Sequence, residues 1–147
     1  MLNNDIKILV ESKKSQGLIN DYIINSVKEF LQIRILYFLY SNKKYNDKLI
    51  FTGGTCLRFC FNLPRLSEDL DFDFVTNIDH KIFSNDIHKF LKIDMSIEEA
   101  EAIIKGKNKK IYFKFPILEE LNLSYNNSNI LYVKVEDSHT TINSEKV

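Results

Sequence analysis

The chain has 147 residues, enough for one domain with a hydrophobic core. Apolar residues make up 44% and charged residues 27%, the ordinary range of globular proteins, and the 20 Lys and Arg balance the 20 Asp and Glu. This balance excludes an overall positive field that would attract nucleic acid, so any such contact must use a local patch. The sequence contains no apolar run of about 18 residues and no signal-peptide pattern, so we expect a cytoplasmic protein that does not enter a membrane.

The first half of the sequence predicts two helices, a strand and a short helix. Residues 1–17 predict a short helix. From Asn20 or Asp21, the candidate N-caps, apolar residues recur at helical spacing as far as Leu39 and predict a long helix. The stretch "KLIFTGG" predicts a buried strand that runs into two glycines, and "TCLRFCFNL" predicts a short helix with Thr55 near its start.

The second half alternates strands with helical segments. The stretch "EDLDFDFV" has the strict period-2 alternation of a strand, and residues 78–92 have helical spacing. The stretch "MSIEEAEAII" predicts a further helix or an irregular connection. Strands are predicted at "KKIYFKF" and "ILYVKVE", with a helical turn at "PILEELNLS" and a turn at "YNNSN" between them.

This mixture predicts an α/β (α+β) fold, a small mixed sheet flanked by helices. We expect one domain over 1–147, with a helical part at 1–47, a sheet-bearing core at 48–137 and a tail at 138–147.

Three carboxylates, Asp69, Asp71 and Asp73, share one face of the predicted second strand. Residues two apart on a strand lie about 6.5–7 Å apart, where two carboxylates repel by roughly 2–3 kcal/mol at an effective dielectric of 20. Such a face requires a cation or open water, and Mg²⁺ is suited to it. The alternative is a solvated strand face. An EF-hand loop is excluded because Phe74 replaces its sixth-position glycine and His80 its last glutamate.

The glycine pair Gly53–Gly54 stands between the first predicted strand and a short helix. Glycine lets backbone approach a ligand closely, and N–H groups at the start of a helix attract phosphate. A tight turn is an equally good interpretation of the pair alone. Gly54 precedes Asp69 by 15 residues, so a phosphate cradle and a metal-binding carboxylate pair would lie at the ends of successive strands. Phosphoryl and nucleotidyl transfer require that combination.

These features stand in one stretch, "GGTCLRFCFNLPRLSEDLDFDF", which resembles the signature of the AbiEii/AbiGii toxin family of nucleotidyltransferases. That signature joins Gly-Gly-Thr, a Leu-Arg helix, an Arg-x-Ser turn and Asp-Leu-Asp-Phe. A second stretch, "YFKFPILEELNLSYNNSNILYVKVE", is similar to the family's strand, proline-containing turn and Lys-Val-Glu strand. The resemblance implies a polymerase-beta-like nucleotidyltransferase domain.

The resemblance also implies roles for individual residues. It implies a nucleotide-binding set of Gly53, Gly54, Thr55, Ser67, Arg65 and Lys134. It implies that Asp69, Asp71 and Glu136 hold Mg²⁺, that Glu136 helps to activate the attacking hydroxyl, and that the catalytic set is Asp69, Asp71, Glu136 and Ser67.

The activity that the resemblance implies is Mg²⁺-dependent transfer of a nucleotide from a nucleoside triphosphate to RNA, with tRNA as the leading target. It implies a toxin with a separately encoded antitoxin partner, in phage defence or growth arrest. Family members continue beyond the Lys-Val-Glu strand into a helical region that completes the site, whereas this sequence ends 11 residues after Glu136. The alternative is therefore a truncated remnant or a nucleotide-binding module that needs another chain. A transferase that modifies protein is a third interpretation.

Several other residues carry weaker expectations. Asp73 is either a solvated acid or a residue that orients the metal ligands. Arg58 contacts phosphate, or else is exposed to solvent or paired with an acid, and "KGKNKK" at 105–110 is a solvated loop or an RNA-backbone contact. The remaining candidates are expected to serve packing or the surface: His80, His88 and His139, together with Cys56 and Cys60 as small buried thiols on one helix face.

Overall fold

The structure is a computed structural model, and it describes residues 3–62, 69–107, 110–123 and 128–138. A π-helical turn, Phe90–Asp94, follows the fourth helix directly. The other elements, in chain order, are α1 (Asn4–Ser15), α2 (Asn20–Ser41), β1 (Leu49–Thr52), α3 (Gly53–Phe61), β2 (Leu70–Phe74), α4 (His80–Lys89), β3 (Glu101–Lys105), β4 (Lys110–Phe115) and β5 (Leu131–Asp137).

The strands form a five-stranded mixed sheet in the order β1-β2-β5-β4-β3. The central pair, β2 and β5, is parallel, and the other neighbours are antiparallel. The predicted mixed α/β sheet flanked by helices is therefore confirmed. The boundaries at 47/48 and 137/138 stay predictions.

One face of the sheet forms the hydrophobic core with the helices. The alternation in β2 buries Leu70, Phe72 and Phe74 and leaves Asp71 and Asp73 on the other face, as the sequence predicts. Helix α2 packs against β5, and α4 packs against β3. The apolar stripe of α2 is fully buried and consists of Ile23, Val27, Leu31, Ile35 and Leu39. Within the described part of the chain, no helix has the length and apolar character that a membrane crossing needs.

The structure differs from the sequence-based prediction at three points. For the "MSIEEAEAII" segment, residues 95–100 form the irregular connection that was one of the two predictions, whereas the predicted helix is wrong and Glu101–Lys105 form strand β3. The helix propensity of Ala and Glu is overridden because pairing with β4 places Ala102 and Ile104 against the core. The N-cap of α2 is Ile19, one residue before Asn20 and two before Asp21, the predicted caps. Helix α3 begins at Gly53 rather than near Thr55, so the glycine pair forms its first turn.

Candidate active site

Strand β1 passes directly into helix α3, and this junction forms one wall of the site. Thr52 is the extended N-cap, and Gly53 follows with a φ of +78°, a conformation that side chains disfavour. A Cβ at Gly53 would overlap Asp71 Oδ2 and lie 3.1 Å from the Asp71 Cβ. Glycine is required here for two reasons, the backbone conformation and the close approach of Asp71. The first backbone N–H groups of α3 therefore begin beside this carboxylate.

The register of the sheet brings Asp71 and Glu136 together from distant parts of the sequence. Asp71 lies opposite Thr52 of β1 on one side and opposite Glu136 of β5 on the other. The Thr52 hydroxyl donates a hydrogen bond to the Asp71 carbonyl oxygen at 3.4 Å. Asp69 precedes β2 by one residue, so the strand alternation puts it on the same face as Asp71. The two predicted metal ligands and the predicted third acid thus share one surface.

An ammonium group lies among these carboxylates. Lys134 Nζ is 3.0 Å from Asp69 Oδ2 and 3.9 Å from Glu136 Oε2. Its hydrogen bond to Asp69, with the charges of Asp69 and Glu136, raises the pKa of Lys134 despite partial burial. Lys110 Nζ approaches the other oxygen of Glu136 at 3.8 Å. Lys134 therefore remains charged and partly neutralises the acidic cluster.

The neutralisation is incomplete at Asp71. Burial raises the pKa of Asp71, and the charges of Glu136 and Asp69 raise it further. A hydrogen bond from Ser138 and the charge of Lys134 act in the opposite direction without cancelling the rise. The raised pKa means that ionisation of Asp71 is less favourable in the folded protein than in water. A divalent cation at this position would remove that penalty.

The donor set fits Mg²⁺ in its chemistry, because Asp69, Asp71 and Glu136 offer carboxylate oxygens on one surface. Within the described ranges, however, no three Asp, Glu, His or Cys side chains are already arranged as a metal-ligand group. The Lys134 ammonium lies against one oxygen of Asp69 and one of Glu136. A metal that used those two oxygens would displace this ammonium.

Among the residues that the structure describes, two sizeable cavities lie away from the site. Cavities of 320 Å³ and 400 Å³ lie between the end of α2 and the turn after α4, where Phe38 stacks on Phe90. Neither cavity is lined by a carboxylate of the site. Position and charge, not the size of a cavity, identify the candidate active site.

The structure places the other sequence-predicted residues as follows. Thr55 is buried in the first turns of α3, and Gly54 precedes it. Ser67 and Arg65 lie outside the described residues, so their predicted contacts with nucleotide stay predictions. Asp73 lies on the same face as Asp71 but opposite Ile50 of β1, farther from Glu136, and its role stays open.

Residues with weaker expectations mostly have structural partners. Arg58 Nε is 3.1 Å from Glu29 Oε2, so its pairing with an acid is confirmed. His80 Nε2 is 3.4 Å from Asp137 Oδ2, and His88 Nε2 is 2.6 Å from the carbonyl oxygen of Ala100. His139 lies outside the described residues, as do residues 108–109 of the basic run.

The prediction for the cysteines is correct in one respect and wrong in another. Their sulfur atoms lie 3.7 Å apart on one face of α3, as the spacing predicts. The expectation that both are buried is wrong, because Cys60 is exposed and Cys56 half-buried. Helix α3 turns Arg58 and Phe59 toward α2 and β1, and this orientation leaves Cys60 at the surface.

Sequence reasoning missed one residue of the site, Ser138, which acts to lower the pKa of Asp71 and whose backbone N–H donates to the Phe72 carbonyl oxygen at 2.8 Å. Nothing in its local sequence indicates this role, because the contact depends on the parallel pairing of β2 and β5. Lys110 was included in the basic run, but its proximity to Glu136 follows only from the pairing of β4 with β5.

Comparison with known proteins gives one match. The model of the family described as "Nucleotidyl transferase AbiEii toxin, Type IV TA system" matches residues 34–136. This range contains β1, the glycine pair, nearly all of β5 and the three proposed metal ligands Asp69, Asp71 and Glu136. Neither a curated protein nor a solved structure matches the chain.

Proposed function

Because the chain belongs to the AbiEii nucleotidyl transferase toxin family of type IV toxin–antitoxin systems, we propose that it transfers a nucleotide from a nucleoside triphosphate to RNA, with Mg²⁺ as cofactor and tRNA as the leading target. The observation that carries this proposal is the approach of Gly53 to Asp71, with Glu136 on the next strand. The start of α3, which would bind phosphate, meets a cluster of carboxylates there. In keeping with the family, we further propose that a separate antitoxin restrains the chain, and that it acts in the cytoplasm in growth arrest or phage defence.

The start of α3 would bind the triphosphate. The backbone N–H groups of Gly53, Gly54 and Thr55 precede any hydrogen bonding within the helix and carry the positive end of its dipole. The absence of a side chain at Gly53 lets the Asp71 carboxylate lie directly against the start of α3, so a metal held by Asp71 would lie next to the bound phosphates. Ser67 and Arg65 are proposed to line the same phosphates.

The carboxylates would position the reacting groups. Asp69, Asp71 and Glu136 would hold the metal, which when bound neutralises charge on the phosphates and orients the α-phosphate. Lys134 would leave Asp69 and contact the phosphates, since its ammonium is already within reach of the acids.

The proposed transfer is a substitution at the α-phosphorus. The oxygen of an RNA hydroxyl forms a bond to phosphorus, and its proton passes to the Glu136 carboxylate. The bond from the α-phosphorus to the bridging oxygen breaks, and pyrophosphate leaves with its electron pair. Alignment of these groups on a rigid sheet supplies much of the acceleration.

The test is incubation of the purified chain with tRNA, Mg²⁺ and each labelled nucleoside triphosphate. Asp69→Ala and Asp71→Ala are expected to abolish labelling of the RNA. Asp73→Ala is the matched control, because Asp73 lies on the same strand face but opposite Ile50 rather than Glu136. We expect this control to retain most of its activity.

The other outcomes separate the alternatives. Nucleotide binding without labelled RNA would favour a nucleotide-binding module that needs another chain. Label on protein instead of RNA would overturn the proposed acceptor while retaining the chemistry. Equal loss of activity in all three variants would show that the charge of the face, rather than the Asp69–Asp71 pair, is responsible.

A further inference from the structure

The sheet face that carries the acids continues across β5, β4 and β3 with side chains that keep contact with solvent. Along β4 and β5, buried residues alternate with residues that are exposed or half-buried. On β5, Tyr132 retains 45% exposure between the buried Leu131 and Val133. Because α2 and α4 pack against the opposite face, this surface is where a partner would meet the sheet.

Two tyrosines and three lysines form this part of the face, which we term the tyrosine–lysine surface: Tyr112, Tyr132, Lys105, Lys110 and Lys114. The sheet register places Tyr112 opposite Lys134, and Lys114 opposite Tyr132. Lys105 Nζ lies 5.2 Å from the Tyr112 ring centroid, and Lys114 Nζ lies 6.0 Å from that of Tyr132. Aromatic rings and ammonium groups therefore alternate across neighbouring strands.

Two lysines of the tyrosine–lysine surface repel each other in the sheet. Lys105 lies directly opposite Lys110 in the β3–β4 ladder, and like charges opposite each other destabilise a sheet. Glu101, opposite Lys114, and Glu136, near Lys110, offset only part of this charge. An anionic partner would remove the repulsion between the two lysines.

The tyrosine–lysine surface is continuous with the candidate active site. Lys134 Nζ lies 6.0 Å from the Tyr112 ring centroid and 3.0 Å from Asp69 Oδ2. Strand β4 is two strands from β2, a separation of about 10 Å. A stacked nucleic-acid strand rises about 3.4 Å per nucleotide, so roughly three nucleotides would cover this distance.

We infer that the tyrosine–lysine surface binds the single-stranded end of the acceptor RNA and presents its terminal hydroxyl to the carboxylates. The inference rests on the proposed function and adds the surface, and the residues on it, that bind the RNA. Unpaired bases would stack on Tyr132 and Tyr112, and the three lysines would contact phosphates. Paired bases in a duplex are not free to stack on these rings, so the surface selects an unpaired end.

The surface suits RNA better than it suits a protein. Lysine is depleted at the centre of protein interfaces, whereas here Lys105 and Lys114 flank both rings. Alternating aromatic and basic groups are typical of proteins that bind single strands without reading a long sequence.

The experiment measures RNA binding without nucleotide or metal, by fluorescence anisotropy. The probes are an end-labelled RNA hairpin with a four-nucleotide single-stranded 3′ end and the same hairpin with a blunt end. We expect the wild-type chain to bind the first probe more tightly. Tyr132→Ala is expected to weaken that binding by about 5-fold or more, the loss of one stacked base, whereas Tyr132→Phe keeps the ring and binds within about 2-fold of wild type.

Two further variants test the assignment of rings and charges. Tyr37→Ala is the matched control, because Tyr37 is an exposed tyrosine on α2 and lies off the sheet. It is expected to leave RNA affinity unchanged. Lys105→Gln is expected to reduce the slope of log affinity against log salt by about 0.7, the value for one phosphate contact on a single strand.

Equal binding of both probes, or wild-type RNA affinity in Tyr132→Ala, would overturn the inference. Wild-type RNA affinity in Tyr132→Ala is also the result expected if the tyrosine–lysine surface binds a protein instead of RNA. Nucleotide binding is measured separately, so the inference and the proposed function fail in different ways. If Tyr132→Ala transfers nucleotide to RNA with an unchanged KM for RNA, the inference fails and the proposed function stands. If RNA binds through Tyr132 but wild-type chain transfers nothing, the proposed function fails and the RNA surface stands.

Discussion

Gly53→Ala tests the geometry of the site most directly. The new methyl group would overlap Asp71 Oδ2 and approach the Asp71 Cβ and Cγ at 3.1 Å. Because Oδ2 is the end of a side chain, the overlap is relieved when the carboxylate turns away by about an ångström, with little movement of the backbone. A displacement of that size can lower a rate by about 100-fold when it moves a group that positions the reaction.

The substitution also carries a backbone penalty that must be separated from the effect on Asp71. Gly53 has a φ of +78°, where a residue with a Cβ costs about 1–2 kcal/mol. Gly17 has a φ of +75°, and a methyl group added there would meet no heavy atom within 4 Å. Gly17→Ala is thus a matched control that has the same backbone penalty without the collision.

The assay combines urea unfolding with nucleotide transfer under the same conditions. Both variants are expected to lose about 1–2 kcal/mol of unfolding free energy. Only Gly53→Ala is expected to lose transfer by about 100-fold. Wild-type transfer in Gly53→Ala would refute the claim that this glycine sets the position of Asp71. Equal loss of transfer in Gly17→Ala would show that activity follows general stability.

Three further predictions concern charge and hydrogen bonding. Asp71→Asn is expected to stabilise the fold near neutral pH, because burial and neighbouring carboxylates raise the pKa of Asp71 above its ordinary 3.8. This gain in unfolding free energy should disappear as the pH falls below 3.8, where the acid is protonated in both the folded and the unfolded state. Urea unfolding at the two pH values measures it, and a gain independent of pH would contradict it. Lys134→Met removes the ammonium that lies 3.0 Å from Asp69 and is expected to lower the unfolding free energy by about 1–3 kcal/mol, a loss that Mg²⁺ partly restores. Thermal unfolding with and without Mg²⁺ measures this, and an equal effect of Mg²⁺ on the variant and the wild type would contradict it. Tyr45→Phe deletes the hydroxyl that donates to Asp86 at 2.5 Å and is expected to cost about 1.5–3 kcal/mol of unfolding free energy with transfer unchanged; a loss of transfer at full stability would argue against a purely structural role.

The elements with the strongest local periodicity were predictable from sequence. The apolar stripe of α2 and the apolar–acidic alternation of β2 each predict which side of the element faces the core, and the structure confirms both predictions. Strand β3 was not predictable, because the Ala- and Glu-rich stretch that runs into it, "EEAEA" at 98–102, favours a helix when considered alone. It is a strand because it pairs with β4 at the edge of the sheet.

The site was predictable where its residues are close in sequence. The Gly-Gly pair and the Asp-x-Asp pair are local patterns with known chemical uses, and the structure brings Gly53 against Asp71. The lysine between the carboxylates was not predictable as an ion-pair partner. Its position relative to Asp69 depends on which strand lies beside β2.

The sequence by itself determined which face of β2 is buried, because side chains alternate with a period of two and only one face of β2 is apolar. It also determined where backbone could approach a ligand, since glycine alone lacks a Cβ. Only the tertiary structure decided that Glu136 lies beside Asp71, that Lys134 occupies the space between acids, and that the tyrosines line the same face. The physical reason is that strand pairing joins residues far apart in the chain through backbone hydrogen bonds, which are common to all residues and leave the order of strands to the packing of the whole domain.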